Sequence, residues 1–286
     1  MLEKLKAYLE LMKPFHHSKT TLYYGFCSLA GTLWASSNPP LTKTISTAIA
    51  ITLAAFAIYA LNDICDVEID RINAPERPLP SGRVGELEAE VLTIGLFASA
   101  LAIAHMVDLK TLIFTALFSI LGVIYSLPPI RLKDGWFANI CWGLGIGMAI
   151  LSGASFIAIS PRPIIVAATL ALLTAGCGFT KDLKDMKGDK ALGIRTIPIV
   201  LGERKAVKLM AATFVGGMPI LFLAAIFYGF NPLYLSMVTV ATIIFAYSLL
   251  VLYKHPGEKD LYKRVYKMQA ASGMFIMAAL ILAPLI

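Results

Sequence analysis

Two acidic triplets in this chain share one spacing. Asp63, Asp66 and Asp70 lie in LNDICDVEID, and Asp182, Asp185 and Asp189 lie in TKDLKDMKGD. Each reads D-x-x-D-x-x-x-D, and the second repeats the first at an offset of 119 residues. Both follow long apolar stretches, where carboxylates are costly to place and mark functional sites. Six carboxylates brought together would repel one another, and some would protonate, unless cations neutralise them. Ligation by oxygen alone, from carboxylates and the carboxamide of Asn62, suits Mg²⁺ or Mn²⁺ rather than zinc. Mg²⁺ keeps coordination positions for phosphate oxygens, so a diphosphate bridged between the two halves is the natural ligand. A lone acidic run after a span is more often a solvated helix end. Two runs of equal spacing, each with Arg and Lys close by, weaken that plainer reading.

The elements that must position these groups are membrane helices. Of 286 residues, 58% are hydrophobic and 15% charged, with mean hydropathy +0.74, whereas soluble domains carry about 25% charged residues. A hydrocarbon core of about 30 Å needs roughly 20 apolar residues per helical span. Nine stretches qualify, near 20–37, 45–62, 90–107, 111–127, 136–158, 163–180, 206–228, 232–253 and 267–286. The runs are continuous, without the alternation of a strand barrel. The fold class is therefore an all-α integral membrane protein of nine helices, in one domain spanning 1–286. The first twenty residues read as a basic, amphipathic interfacial helix rather than a cleaved signal.

The net charge of +7 reports topology rather than nucleic acid, which is excluded as a partner. With the N-terminus inside, 22 of the 25 Lys and Arg fall on one side, and only Lys43, Lys110 and Arg162 on the other. That asymmetry is the positive-inside pattern. It predicts a multi-pass protein of the cell membrane with a cytoplasmic N-terminus, cytoplasmic long loops and an external C-terminus. Both acidic triplets fall on the cytoplasmic side. Cys27, Cys65, Cys141 and Cys177 lack metal-ligand spacing and predict no disulfide. Gly143, Gly145 and Gly147 lie inside a span and predict close helix packing rather than a nucleotide loop. His16 and His17 read as part of a basic interfacial anchor.

If the second span continues as a helix through its motif, Asn62, Asp66, Asp70 and Asp63 fall within a 100° arc, with Asp63 at its edge. The offset also relates the second span to the sixth, which fits a pseudo-repeat of four helices. Lys181 occupies the second motif's counterpart of Asn62, and an ammonium cannot bind metal but can hold a phosphate oxygen.

N-D-x-x-D-x-x-x-D followed by ERPLPSGRV, then YSLPPIRLK, then KDLKDMKGDKALGIRTIPIVLG, closely resembles the UbiA-type intramembrane prenyltransferases. The resemblance covers essentially the whole chain. It implies a helical bundle around a central cavity, open sideways to lipid and capped by cytoplasmic loops. It implies transfer of a polyprenyl group from a prenyl diphosphate donor to a lipophilic or aromatic acceptor, with two Mg²⁺ ions. By position, Asn62, Asp66 and Asp70 would hold one ion and Asp182, Asp185 and Asp189 the other. Asp66, Asp70, Asp185 and Asp189 would be the catalytic core, and Arg77, Tyr125, Lys133 and Lys181 would contact the diphosphate. Tyr23, Tyr24, Tyr59 and Phe179 are candidates to face an allylic cation, and none is assigned.

The acceptor stays open among quinone-precursor aromatics such as homogentisate and 4-hydroxybenzoate, chlorins, and geranylgeranylglyceryl phosphate of archaeal-type ether lipids. A secondary transporter with carboxylate cation sites is the alternative, although such sites lie near the bilayer midplane. A CDP-alcohol phosphotransferase would need D-x-x-D-G-x-x-A-R, which the chain lacks.

Overall fold

A computed structural model describes residues 2–14, 21–191, 193–228, 231–255, 257 and 259–285; His16 and His17 lie outside the described residues. The helices are α1 (Leu2–Met12), α2 (Leu22–Ala35), α3 (Leu41–Cys65), α4 (Val67–Asn73), α5 (Glu86–Val107) and α6 (Leu109–Ser126). There follow α7 (Ala138–Ser155), α8 (Pro161–Ala191), α9 (Ile197–Leu201), α10 (Glu203–Ala224), α11 (Pro232–Lys254) and α12 (Lys259–Leu282). Among the described residues there is no strand, and eight helices are long and apolar enough to cross a membrane. The chain is an integral, multi-pass membrane protein.

The expected first span is the exception in length. α2 has 14 residues, about 21 Å at 1.5 Å per residue. It is nonetheless an inner helix, packed between α3 and α7, and its Trp34 indole donates to the Leu280 carbonyl at 2.8 Å. Gly153 makes the α2–α7 crossing: a Cβ there would collide with the Ser28 carbonyl, and Thr32 Oγ1 donates to the Gly153 carbonyl at 2.8 Å. Gly143 likewise sits against the Ala171 carbonyl of α8, the packing role expected for the glycine run.

Helix ends follow local chemistry. Asp108 caps α6 by accepting from the Lys110 N–H at 2.7 Å, and Asn231 caps α11 by accepting from Leu233 and Tyr234. α8 runs 31 residues without a break, about 46 Å at that rise, so its last turns project beyond a core of about 30 Å. α3 behaves differently, and the expectation of one continuous helix through the first motif is corrected. The helix ends at Cys65, Asp66 takes φ −104° and ψ 2°, and α4 restarts from it. Asp66's side chain makes no capping bond to the backbone; two cations from the 131–133 turn hold it instead.

α3 packs on α2 and α5, while α8 packs on α7 and α10, the neighbour order a four-helix pseudo-repeat would have. α1 is not a span. Its Ala7 and Leu11 bury against Ala60, Leu79, Val84 and Ala89, while Leu2 and Leu5 stay exposed, as an interfacial helix requires. The PLPSGRV turn folds beneath it, with Gly82 at φ +73° and Val84 N–H donating to the Pro78 carbonyl. The four cysteines are free thiols.

Candidate active site

The two triplets meet at one end of the bundle, around a cavity of about 290 Å³. Asn62, Asp66 and Asp70 line it from the α3–α4 break; Asp182, Asp185 and Asp189 line it from the last turns of α8. All six residues expected as metal ligands thus border one space. Tyr125, Lys133 and Lys181 border it too. Arg77 does not: it lines an adjoining cavity and reaches the site through Asp70, Nη1 to Oδ2 at 2.6 Å.

The first half is held by cations. Asp66 accepts from Lys133 Nζ at 2.6 Å and from Arg131 Nη2 at 2.8 Å. Arg131, one of the basic residues on the expected cytoplasmic side, lines the cavity as well; it adopts φ +42° and also bonds Asp134 at 2.6 Å. Burial pushes the Asp70 carboxyl above the usual carboxylate range, partly offset by Arg77. Burial pulls the Lys133 ammonium below its usual range against the pull of Asp66. Asp63, at the edge of the expected arc, turns away from the cavity and pairs with Lys13 Nζ at 2.5 Å.

The second half is held more lightly. Asp182 accepts from the buried Asn139 amide at 2.6 Å, and Asp185 lies 3.3 Å from Lys184 Nζ. The halves match in spacing but not in partners. Backbone bonds join their loops, with Arg195 N–H donating to the Asp134 carbonyl at 3.2 Å.

The five carboxylates and one carboxamide expected as ligands, joined in the lining by Asp134 and Asn139, fit Mg²⁺ by donor chemistry. Among the described residues no three His, Cys, Asp or Glu side chains lie grouped closely enough to hold an ion; basic side chains hold the first triplet. Of the aromatic candidates, Tyr24 and Tyr59 line the cavity with Phe118 and Trp142. Tyr23 and Phe179 do not line it, although all six pack in or against one core. Sequence reasoning missed Asn139, Tyr266 and Lys13. Only Asn139 carried a signal, a carboxamide near the start of an apolar span.

The UbiA prenyltransferase family model matches residues 24–278. Digeranylgeranylglyceryl phosphate synthase of Thermococcus gammatolerans is 31% identical over 287 aligned positions, covering 98% of this chain and 99% of that one. A solved structure of a digeranylgeranylglyceryl phosphate synthase superposes with TM-score 0.80 at 26% identity, covering 99% of both chains. A UbiA homologue from Archaeoglobus fulgidus, bound to GPP and Mg²⁺, shares the fold with TM-score 0.70 at 19% identity, over 96% of this chain and 99% of that one.

Proposed function

This chain belongs to the UbiA prenyltransferase family, and on that footing we propose that it geranylgeranylates the free hydroxyl of geranylgeranylglyceryl phosphate. The donor is geranylgeranyl diphosphate and the products are digeranylgeranylglyceryl phosphate and diphosphate. The observation carrying this reading is the near full-length similarity to a synthase of that product, joined to a cavity bordered by both acidic triplets.

Asn62, Asp66 and Asp70 would hold one Mg²⁺, and Asp182, Asp185 and Asp189 the other. When bound, the metal neutralises diphosphate oxygens and stabilises the leaving group. Lys133, Lys181 and Tyr125 bind the same oxygens, and Arg77 supports Asp70 from behind. Arg131 and Lys133 hold the Asp66 side chain in the free enzyme; both are long enough to trade it for a phosphate oxygen. The C1–O bond of the donor breaks and its electron pair leaves with the diphosphate. The acceptor oxygen bonds to C1, and its proton is lost to a base that is left unassigned. Tyr24, Tyr59, Phe118 and Trp142 keep water from the allylic cation, and the tyrosine faces stabilise it.

The charge asymmetry supports a cytoplasmic N-terminus and cytoplasmic site loops. With α2 counted as a crossing, the C-terminus lies outside. The transporter alternative keeps no support, since the carboxylates sit at one end of the bundle and the family is one of transferases. An acceptor panel tests the substrate: geranylgeranylglyceryl phosphate, 4-hydroxybenzoate and homogentisate, each with geranylgeranyl diphosphate and purified protein. Turnover confined to an aromatic acceptor would overturn the ether-lipid reading.

A further inference from the structure

Beside the diphosphate cavity lies a second one of about 980 Å³, between α1, the 74–83 loop and α8. Six of its lining side chains are basic and four acidic. Three of the acids are already engaged: Glu10 by Arg83 at 2.6 Å, Asp63 by Lys13 and Asp185 by Lys184. Those pairs occupy Arg83, Lys13 and Lys184, and Lys6 and Arg77 pair with Glu3 and Asp70 outside the lining, so the surplus of two cations is that of the lining's formal charge. The cavity shares Lys181, Asp185 and Tyr266 with the diphosphate cavity as a common wall. Lys181 has no hydrogen-bond or ion-pair partner among the described residues, which leaves its ammonium available to either side.

We infer that this second cavity binds the phosphate monoester of the acceptor, with Lys6, Arg83, Lys181 and Lys184 as its cations. The inference rests on the acceptor proposed above. In that acceptor only the glycerol bridge separates the attacking hydroxyl from the phosphate. A hydroxyl placed at the donor's C1 therefore keeps its phosphate close to the diphosphate cavity, and the second cavity is the space that shares a wall with it. The two anions would repel in one chamber. Two chambers with Lys181 between them reduce that cost, since an opposite charge nearby favours both anions. Arg83 adds a planar fork suited to phosphate.

Steady-state kinetics in nanodiscs of neutral phosphatidylcholine test this. In the Lys6→Gln/Arg83→Gln variant the KM for geranylgeranylglyceryl phosphate should rise about tenfold or more, the loss expected for removing bonds to a charged group. The KM for geranylgeranyl diphosphate should stay within about twofold. Glu10→Gln breaks the same Arg83 ion pair but removes the anion, so acceptor KM should hold or fall. An equal rise in Glu10→Gln would mean that Arg83 only anchors α1, and would overturn the inference. So would a KM defect seen only when anionic lipid is present, which would assign these cations to bilayer headgroups. Wild-type turnover with unaltered acceptor KM in the double variant overturns the cavity assignment alone. A wild type that rejects the phosphate acceptor overturns the acceptor reading and this inference together.

Discussion

Lys13 Nζ lies 2.5 Å from Asp63 Oδ1, and both side chains are under a tenth exposed. The pair ties the end of the interfacial helix α1 to the last turn of α3, one residue from Asn62. Asp63 thus fastens α1 and does not line the cavity of the other five carboxylates. Asp63→Asn leaves an ammonium enclosed without its counter-charge, which costs about 3 kcal/mol or more. A lowered unfolding midpoint in detergent would register the loss, and Lys13→Met in the same chain should recover part of it. An unaltered midpoint in Asp63→Asn would contradict the fastener role.

Asn139 should be a positioning residue for the second triplet. Its amide donates to Asp182 at 2.6 Å, and a Cβ on Gly178 would strike the Asn139 side chain, so the group is packed into one orientation. Asn139→Ala frees Asp182 to turn, and losses of about 10- to 100-fold in metal affinity follow from removing such a partner. The Mg²⁺ dependence of turnover should shift to higher concentration, while saturating Mg²⁺ restores most of the rate. Unchanged Mg²⁺ dependence would refute it.

Lys133→Ala removes a cation that bonds Asp66 in the free enzyme and would bind diphosphate in the complex. The expected drop in kcat is about 10²- to 10³-fold, as for other charge-stabilising donors. Burst measurements of diphosphate release separate this from slower product release. A kcat within twofold of wild type would remove Lys133 from the diphosphate site.

Gly153→Leu should destabilise the bundle far from the chemistry. The new side chain meets the Ser28 carbonyl, a backbone atom that cannot rotate away, and overpacking of this kind costs about 1–3 kcal/mol. Thermal unfolding in detergent reads it. Gly216→Leu, at an exposed position where a Cβ would meet the end of the Leu172 side chain at 3.6 Å, should shift the midpoint much less.

Much of this architecture was legible in the chain, for physical reasons. Apolar run length marks the spans, because lipid permits few alternatives. The Asp spacing marks the two halves of the site, because intramembrane carboxylates are expensive. The break at Asp66 was not legible: helix periodicity over 62–70 is intact, and only Arg131 and Lys133, more than sixty residues on, pull that carboxylate aside. Lys13 was equally hidden, since a Lys in a basic interfacial segment looks like topology until Asp63 meets it. The short α2 escaped too, because the uncharged Thr20, Thr21, Ser36 and Ser37 at its ends do not interrupt the expected span.

The central claim is that both triplets serve one Mg²⁺-dependent ionisation of a prenyl diphosphate. Diphosphate release from geranylgeranyl diphosphate, with geranylgeranylglyceryl phosphate present, measures it in wild type, Asp66→Ala and Asp185→Ala. Wild type should stop under chelator and recover with added Mg²⁺, and each variant, shown folded by its elution and unfolding midpoint, should fall at least about 10³-fold, as for loss of a metal that stabilises the leaving group. Wild-type rates in chelator, or undiminished release in both variants, would contradict it.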